Sequence, residues 1–251
     1  MRRTSPEPAE DETLDTFYHG RLLVLQKKRG YRFSLDAPLL ADFICTRPSD
    51  RLLELGAGNG IISLLLSRKP LRRIVCLEIQ PGLADLARRN IALNHLESKA
   101  SVLERDLRTY RAGEKYDVVF SNPPYIKKKG GQLSPSGEKS IAKHEIKCDI
   151  FDIMHVAGKA LERDGRACVI YPAKRKADFD RALEENGLKV KALRYVHPRS
   201  GEAARWFLAE CRFAVSSQEI RPPLFVYDER GEYTPEMQVI FAGEDRGPHS
   251  G

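Results

Sequence analysis

The chain has 251 residues, 41% of them hydrophobic, enough to bury a sizeable core in one larger domain and too many for a disordered chain. The net charge of +7 is compatible with a polyanionic partner. No apolar run approaches the roughly 20 residues of a membrane helix. The five cysteines (Cys45, Cys76, Cys148, Cys168 and Cys211) are odd in number and scattered with no CxxC pair, so neither a zinc site nor a disulfide framework is suggested; most sit in apolar surroundings and read as small core residues.

Residues 1–15 are polar, acidic after the first few positions and proline-bearing, with no apolar signal-peptide core. They are expected to form a flexible N-terminus on a cytoplasmic protein. In 16–48, Arg21 to Gln26 reads as a strand, Lys27 to Gly30 as a turn and Tyr31 to Phe33 as a returning strand of a hairpin. A short helix over Leu39 to Ile44 follows, opened near Ser34 or Asp36.

From 49 to 215 strands and helices alternate. Strands are expected over Arg51 to Leu55, Arg73 to Glu78, Ala100 to Glu104, Tyr116 to Phe120 and Arg166 to Tyr171. Helices are expected over Ile61 to Ser67, Pro81 to Asn94, Asp149 to Leu161 and Ala177 to Asn186. Two last strands, Lys189 to Val196 and Trp206 to Phe213, can pair as an antiparallel edge. The alternation predicts an α/β fold: a doubly wound, mostly parallel seven-stranded sheet with an antiparallel edge strand and a small N-terminal hairpin and helix addition. Residues 216–251 form a C-terminal extension, expected to be loose at its end.

Glu54-Leu55-Gly56-Ala57-Gly58-Asn59-Gly60 joins the first core strand to its helix. The dinucleotide pattern GxGxxG fails because Ile61 stands where its third glycine belongs, and a phosphate loop fails for want of GK[ST]. The form E-x-G-x-G-x-G resembles the S-adenosylmethionine loop of class I methyltransferases, whose Rossmann-like fold it implies. A carboxylate beside such a loop suits a cationic cofactor without phosphate. Glu78 ends the next strand, where a carboxylate can accept from both ribose hydroxyls. Asp106 follows the third strand, which in the resembled fold lies beside the adenine amino group. Acids at strand ends also cap helices.

Ser121-Asn122-Pro123-Pro124-Tyr125-Ile126 follows the fourth core strand. Its NPPY resembles the [N/D]PP[YF] signature of methyltransferases acting on planar amide or aromatic amino nitrogens. An exocyclic amino nitrogen is a poor nucleophile because its lone pair is delocalised. The Asn122 side-chain carbonyl and the Pro123 carbonyl can accept its N–H groups, the prolines hold the backbone, and Tyr125 offers a stacking face. Asparagine in place of aspartate leaves no strong general base.

The chain from Phe17 to about Tyr233 is similar to the bacterial family that methylates adenine N6 beside the anticodon of a valine tRNA. The matching pieces are Gln26 with Gly30 to Ala37, Leu39-Leu40-Ala41, ELGAGNG, NPPY, Ala142-Lys143-His144-Glu145 and Tyr195-Val196-His197-Pro198. Pro222-Pro223-Leu224 with Tyr233-Thr234 fits a branch of that family. The resemblance implies S-adenosylmethionine as cofactor, a tRNA substrate, and Arg32, Phe33 and Asp36 at the cofactor pocket or its lid; the chemistry needs no metal. Lys127, Lys128 and Lys129, at the pocket rim, can follow an RNA phosphate backbone, and His144 and Glu145 could line the same region. Pro38 within the helix and the triple lysine depart from the pattern. A glutamine-N5 methyltransferase, methylation of another RNA and a non-enzymatic RNA assembly factor are the alternatives; a monomer or weak dimer is expected.

Overall fold

The computed structural model describes residues 7–29, 35–123 and 148–243. The chain opens with a hairpin of β1 (Glu12–Phe17) and β2 (Leu22–Lys27), followed by α1 (Asp36–Phe43). Then come β3 (Arg51–Leu55), α2 (Ile61–Leu66), β4 (Arg73–Glu78), α3 (Pro81–Leu93), β5 (Ala100–Glu104) and β6 (Tyr116–Ser121). After residue 147 follow α4 (Ile150–Ala160), β7 (Leu161–Pro172), α5 (Lys176–Glu185), β8 (Lys189–His197) and β9 (Trp206–Arg212). Short β10 (Glu219–Ile220) and β11 (Leu224–Phe225) and a last helix, α6 (Pro235–Ala242), complete the described chain.

The main sheet runs β10-β8-β9-β7-β6-β3-β4-β5, with β11 also on β8. Its expected seven strands are present, and β10 and β11 from the C-terminal extension lengthen it. Every pairing is parallel except those of β9 with β7 and β8, so the antiparallel strand lies one place inside the core edge. The strands are apolar on both faces because helices cover both. Leu52, Ile74, Val118 and Ile170 face one cluster with α1, α2 and β2. Leu53, Val75, Val119 and Val169 face the other with α4 and α5, the period-2 alternation of a strand.

The hairpin differs from the sequence expectation. Strand β2 pairs with an upstream strand, so Glu12 to Asp15, expected to be loose, are strand. The turn between them puts Tyr18, His19 and Gly20 at φ 53°, 55° and 80°, and two of these three residue types carry no ordinary turn signal. The acidic composition of β1 also hid it; Glu12 is in fact buried, and both of its carboxylate oxygens accept from Arg89 at 2.8 Å. That guanidinium holds the Glu12 carboxyl down at about 2. The expected returning strand, Tyr31 to Phe33, lies outside the described residues.

In the C-terminal extension, Thr234 caps α6 and Pro235 opens it. Arg194 on β8 reaches Glu236 at 2.8 Å, and Arg21 in the hairpin donates to the Ala242 carbonyl at 2.9 Å. The extension therefore packs back onto the body. Of the cysteines, Cys76, Cys168 and Cys211 are buried, whereas Cys45 is exposed rather than a core residue.

Candidate active site

The strand order reverses between β3 and β6, and their carboxyl ends open the crevice where doubly wound sheets bind ligands. Register brings the two main motifs together there. Glu54 lies opposite Phe120, and Leu55 opposite Leu77. One residue past the Leu55–Leu77 pair the register reaches Gly56 and Glu78, and two past the Glu54–Phe120 pair it reaches Gly56 and Asn122, so both motifs follow directly from the carboxyl ends of adjacent strands. Ser121 fixes the join, its hydroxyl donating to the Leu55 carbonyl at 2.7 Å.

The glycine loop is pinned to the end of β4. Gly56 and Ala57 both donate to the Leu77 carbonyl at 2.9 Å, and Gly58 donates to Glu78 Oε2 at 2.7 Å. Gly56 has φ +75°, with no heavy atom within 4 Å of where a Cβ would stand. Gly60, at φ +82°, starts α2; a Cβ there would meet Ala87 of α3 at 3.2 Å. The loop is thus open at Gly56 and tight at Gly60.

Three expected acids differ in their surroundings. Glu78 is 5% exposed and also accepts from the Gln80 amide at 2.9 Å; burial raises its pKa. A carboxylate has about four acceptor positions, so it retains capacity for hydroxyl donors. Glu54 is 1% exposed and accepts from the Ser63 hydroxyl of α2. Burial pushes its carboxyl up to about 8, the nearby Glu78 charge adding to the rise. Asp106 caps a 3-10 turn, taking the Arg108 amide at 2.9 Å while both oxygens hold the Arg108 guanidinium. That pairing lowers its pKa, and Asp106 fills the capping role open to acids at strand ends. Asp36 is buried at the first position of α1.

Asn122 is half-buried and Pro123 buried at the mouth of β6. Pro124, Tyr125, Lys127, Lys128, Lys129, Arg32, Phe33, His144 and Glu145 lie outside the described residues. Two residues of this region carried no signal as site residues in the sequence. One is Ser121, whose tether to Leu55 depends on register. The other is Asn59, wholly buried in the glycine loop, with neither Oδ1 nor Nδ2 hydrogen-bonded. A buried amide without partners is rare and costly, and it suits a polar ligand. Together with the space over Gly56 and the acceptor capacity of Glu78, it fits a cofactor bearing an amino-acid end and ribose hydroxyls.

Residues 34–194 match the family described as methyltransferase small domain, well over half of the chain. The chain belongs to the methyltransferase small-domain family. As a member it is an S-adenosylmethionine-dependent methyltransferase. It is similar to a tRNA1(Val) (adenine(37)-N6)-methyltransferase of Flavobacteriaceae bacterium (strain 3519-10), 27% identical over 68% of this chain and 73% of that one. A protein of the same name from Aliivibrio fischeri is 31% identical over 57% of this chain and 61% of its own. Among solved structures, a predicted O-methyltransferase from Agrobacterium tumefaciens superposes with a TM-score of 0.65 at 23% identity, covering 83% of this chain and 96% of that one. The TYW2 protein of M. jannaschii, solved in complex with AdoMet, gives 0.56 at 16% identity, covering 82% and 89%. These two likenesses are of fold.

Proposed function

We propose that this methyltransferase acts on N6 of an adenine in tRNA, beside the anticodon of a valine tRNA, in the cytoplasm. The observation that supports the reading is that Ser121, the neighbour of Asn122, is tied at 2.7 Å to Leu55, the residue before the glycine loop. The names of the relatives support the choice of adenine and tRNA. S-adenosylmethionine supplies a methyl group made electrophilic by its sulfonium. Glu78 holds the ribose hydroxyls, and Gly56, open where a Cβ would stand, leaves room with Gly58 for the amino-acid end. Glu54 braces the loop through Ser63, and Asp36, Arg32 and Asp106 border the pocket.

Asn122 and the Pro123 carbonyl accept the two N–H bonds of the target amino group. This raises electron density on nitrogen and orients it, so catalysis is mainly positioning. The prolines keep both acceptors in place, and Tyr125 stacks on the base once it leaves its helix or loop. No residue need act as a strong base, because the proton is lost to water after methyl transfer. Lys127, Lys128 and Lys129 follow the RNA backbone at the rim.

The test is transfer of labelled methyl to tRNA from a strain lacking this gene, with nucleoside analysis. Label in N6-methyladenosine is expected, falling about 10²–10³-fold in Asn122→Ala while cofactor affinity stays within a few-fold. Label in protein or ribosomal RNA instead would discard the tRNA substrate.

A further inference from the structure

Among the described residues, strand β2 has β1 along one edge and no strand along the other. Two asparagines, Asn90 of α3 and Asn94 capping its end, bond that other edge. Asn94 accepts from the Leu23 amide at 2.9 Å and donates to the Leu23 carbonyl at 2.7 Å. Asn90 does the same for Leu25, at 2.7 and 3.1 Å. The match is geometric. Four residues of helix rise about 6 Å, and two residues of strand rise about 6.7 Å. Side chains four apart on α3 therefore meet alternate residues of β2.

The two asparagines differ in their remaining hydrogen. That of Asn94 returns to its own helix, at the Asn90 carbonyl, 2.8 Å. That of Asn90 goes to the carbonyl of Asn59 in the glycine loop, 2.9 Å. Asn90 is wholly buried, and one turn before it Ala87 bounds the space at Gly60. A single side chain thus joins the N-terminal hairpin to the loop. The loop residue it holds is the one whose own amide is buried without partners.

We propose that Asn90 is a positioning residue which makes docking of the hairpin and cofactor binding one event, by fixing the backbone of Asn59 so that the Asn59 amide is aimed at polar groups of the cofactor. Asn94 holds the hairpin alone. The Asn59 amide, both donor and acceptor, has a use only when a ligand with both functions lies beside the loop. Burial without that ligand costs stability that binding recovers.

The experiment is hydrogen exchange and calorimetric titration with S-adenosylmethionine on the full chain, comparing wild type with Asn90→Ala, Asn94→Ala and Asn59→Ala. In wild type the cofactor should raise protection of residues 22–27 at least tenfold, and that of β10 at the far sheet edge much less. Asn94→Ala should lower basal protection of β2 yet keep cofactor affinity within about threefold. Asn90→Ala should weaken the cofactor at least tenfold, in KM and not kcat, and uncouple the hairpin from it. Asn59→Ala should also bind at least tenfold more weakly while the free protein melts no lower than wild type, and a variant carrying both Asn59→Ala and Asn90→Ala should lose no more affinity than either single one. Equal cofactor affinity in the Asn90 and Asn94 variants overturns the proposal. So does a wild-type hairpin whose protection ignores the cofactor, an outcome readable even if Asn90→Ala fails to fold.

Discussion

Glu54 shows how a residue legible by its place in a motif acquires a different chemistry from its surroundings. Its spacing before the glycines pointed to a charged partner for a cationic cofactor. Buried against Ser63, its carboxyl holds a proton up to about pH 8. The unfolded chain releases that proton in the ordinary carboxylate range, so between about 4.5 and 8 the folded state carries one proton more. Stability must then fall as pH rises through this window, by up to about 1.4 kcal/mol per pH unit. Glu54→Gln should flatten that slope and be the more stable protein at pH 8, as measured by denaturant unfolding from pH 5 to 8. An unchanged slope would show that the group ionises normally in the fold. Asn59 is the converse case: nothing in its one-letter context distinguishes it, because an unpartnered amide is a property of packing.

Among the elements, α1 is instructive. Pro38 departs from a helical pattern, yet it stands at the third helical position, where a backbone N–H would have no partner within the helix. The other end has no basic residue of its own. Lys69, beyond α2, supplies the charge, its ammonium donating to the carbonyls of Ala41, Asp42 and Ile44 at 2.7, 3.0 and 2.7 Å. Lys69→Met should lower stability by about 1–2 kcal/mol and raise amide exchange in α1 ahead of the sheet. Loss spread evenly over all elements would argue against a cap. The strands and helices of the core were readable from apolar runs and period, since burial on both faces leaves a continuous apolar signature. β1 was not, because it is half exposed and charged, and what orders it is Arg89 of α3, 77 residues away from Glu12.

At the scale of the molecule, the amino-terminal side of the sheet is locked by a buried ion pair. Arg166 of β7 donates to Asp50, just before β3, at 2.6 Å, and to the Cys45 carbonyl at 2.6 Å. Both charged side chains are under a tenth exposed. Asp50→Ala would strand the guanidinium and should cost about 3–5 kcal/mol, whereas Asp50→Leu with Arg166→Met should cost less than either single change. Denaturation curves of the three variants decide it. Cofactor affinity should not move in any of them, because the pair lies away from the carboxyl ends of β3 and β6.

By itself the sequence determined the αβ alternation, the glycine loop, the acid at the end of β4 and the NPPY motif. Each is a local pattern, set by backbone conformation, period or the chemistry of adjacent residues. Only the tertiary structure decided that the glycine loop is pinned to Glu78 and joined through Ser121 to the end of β6, that β1 pairs with β2, and that α3 ties the hairpin to the loop. Those relations rest on register and on side chains far apart in sequence, such as Asn90 with Leu25 and Ser121 with Leu55. A hydrogen bond across 65 or 66 residues leaves no periodic trace, because neither partner constrains its own neighbours.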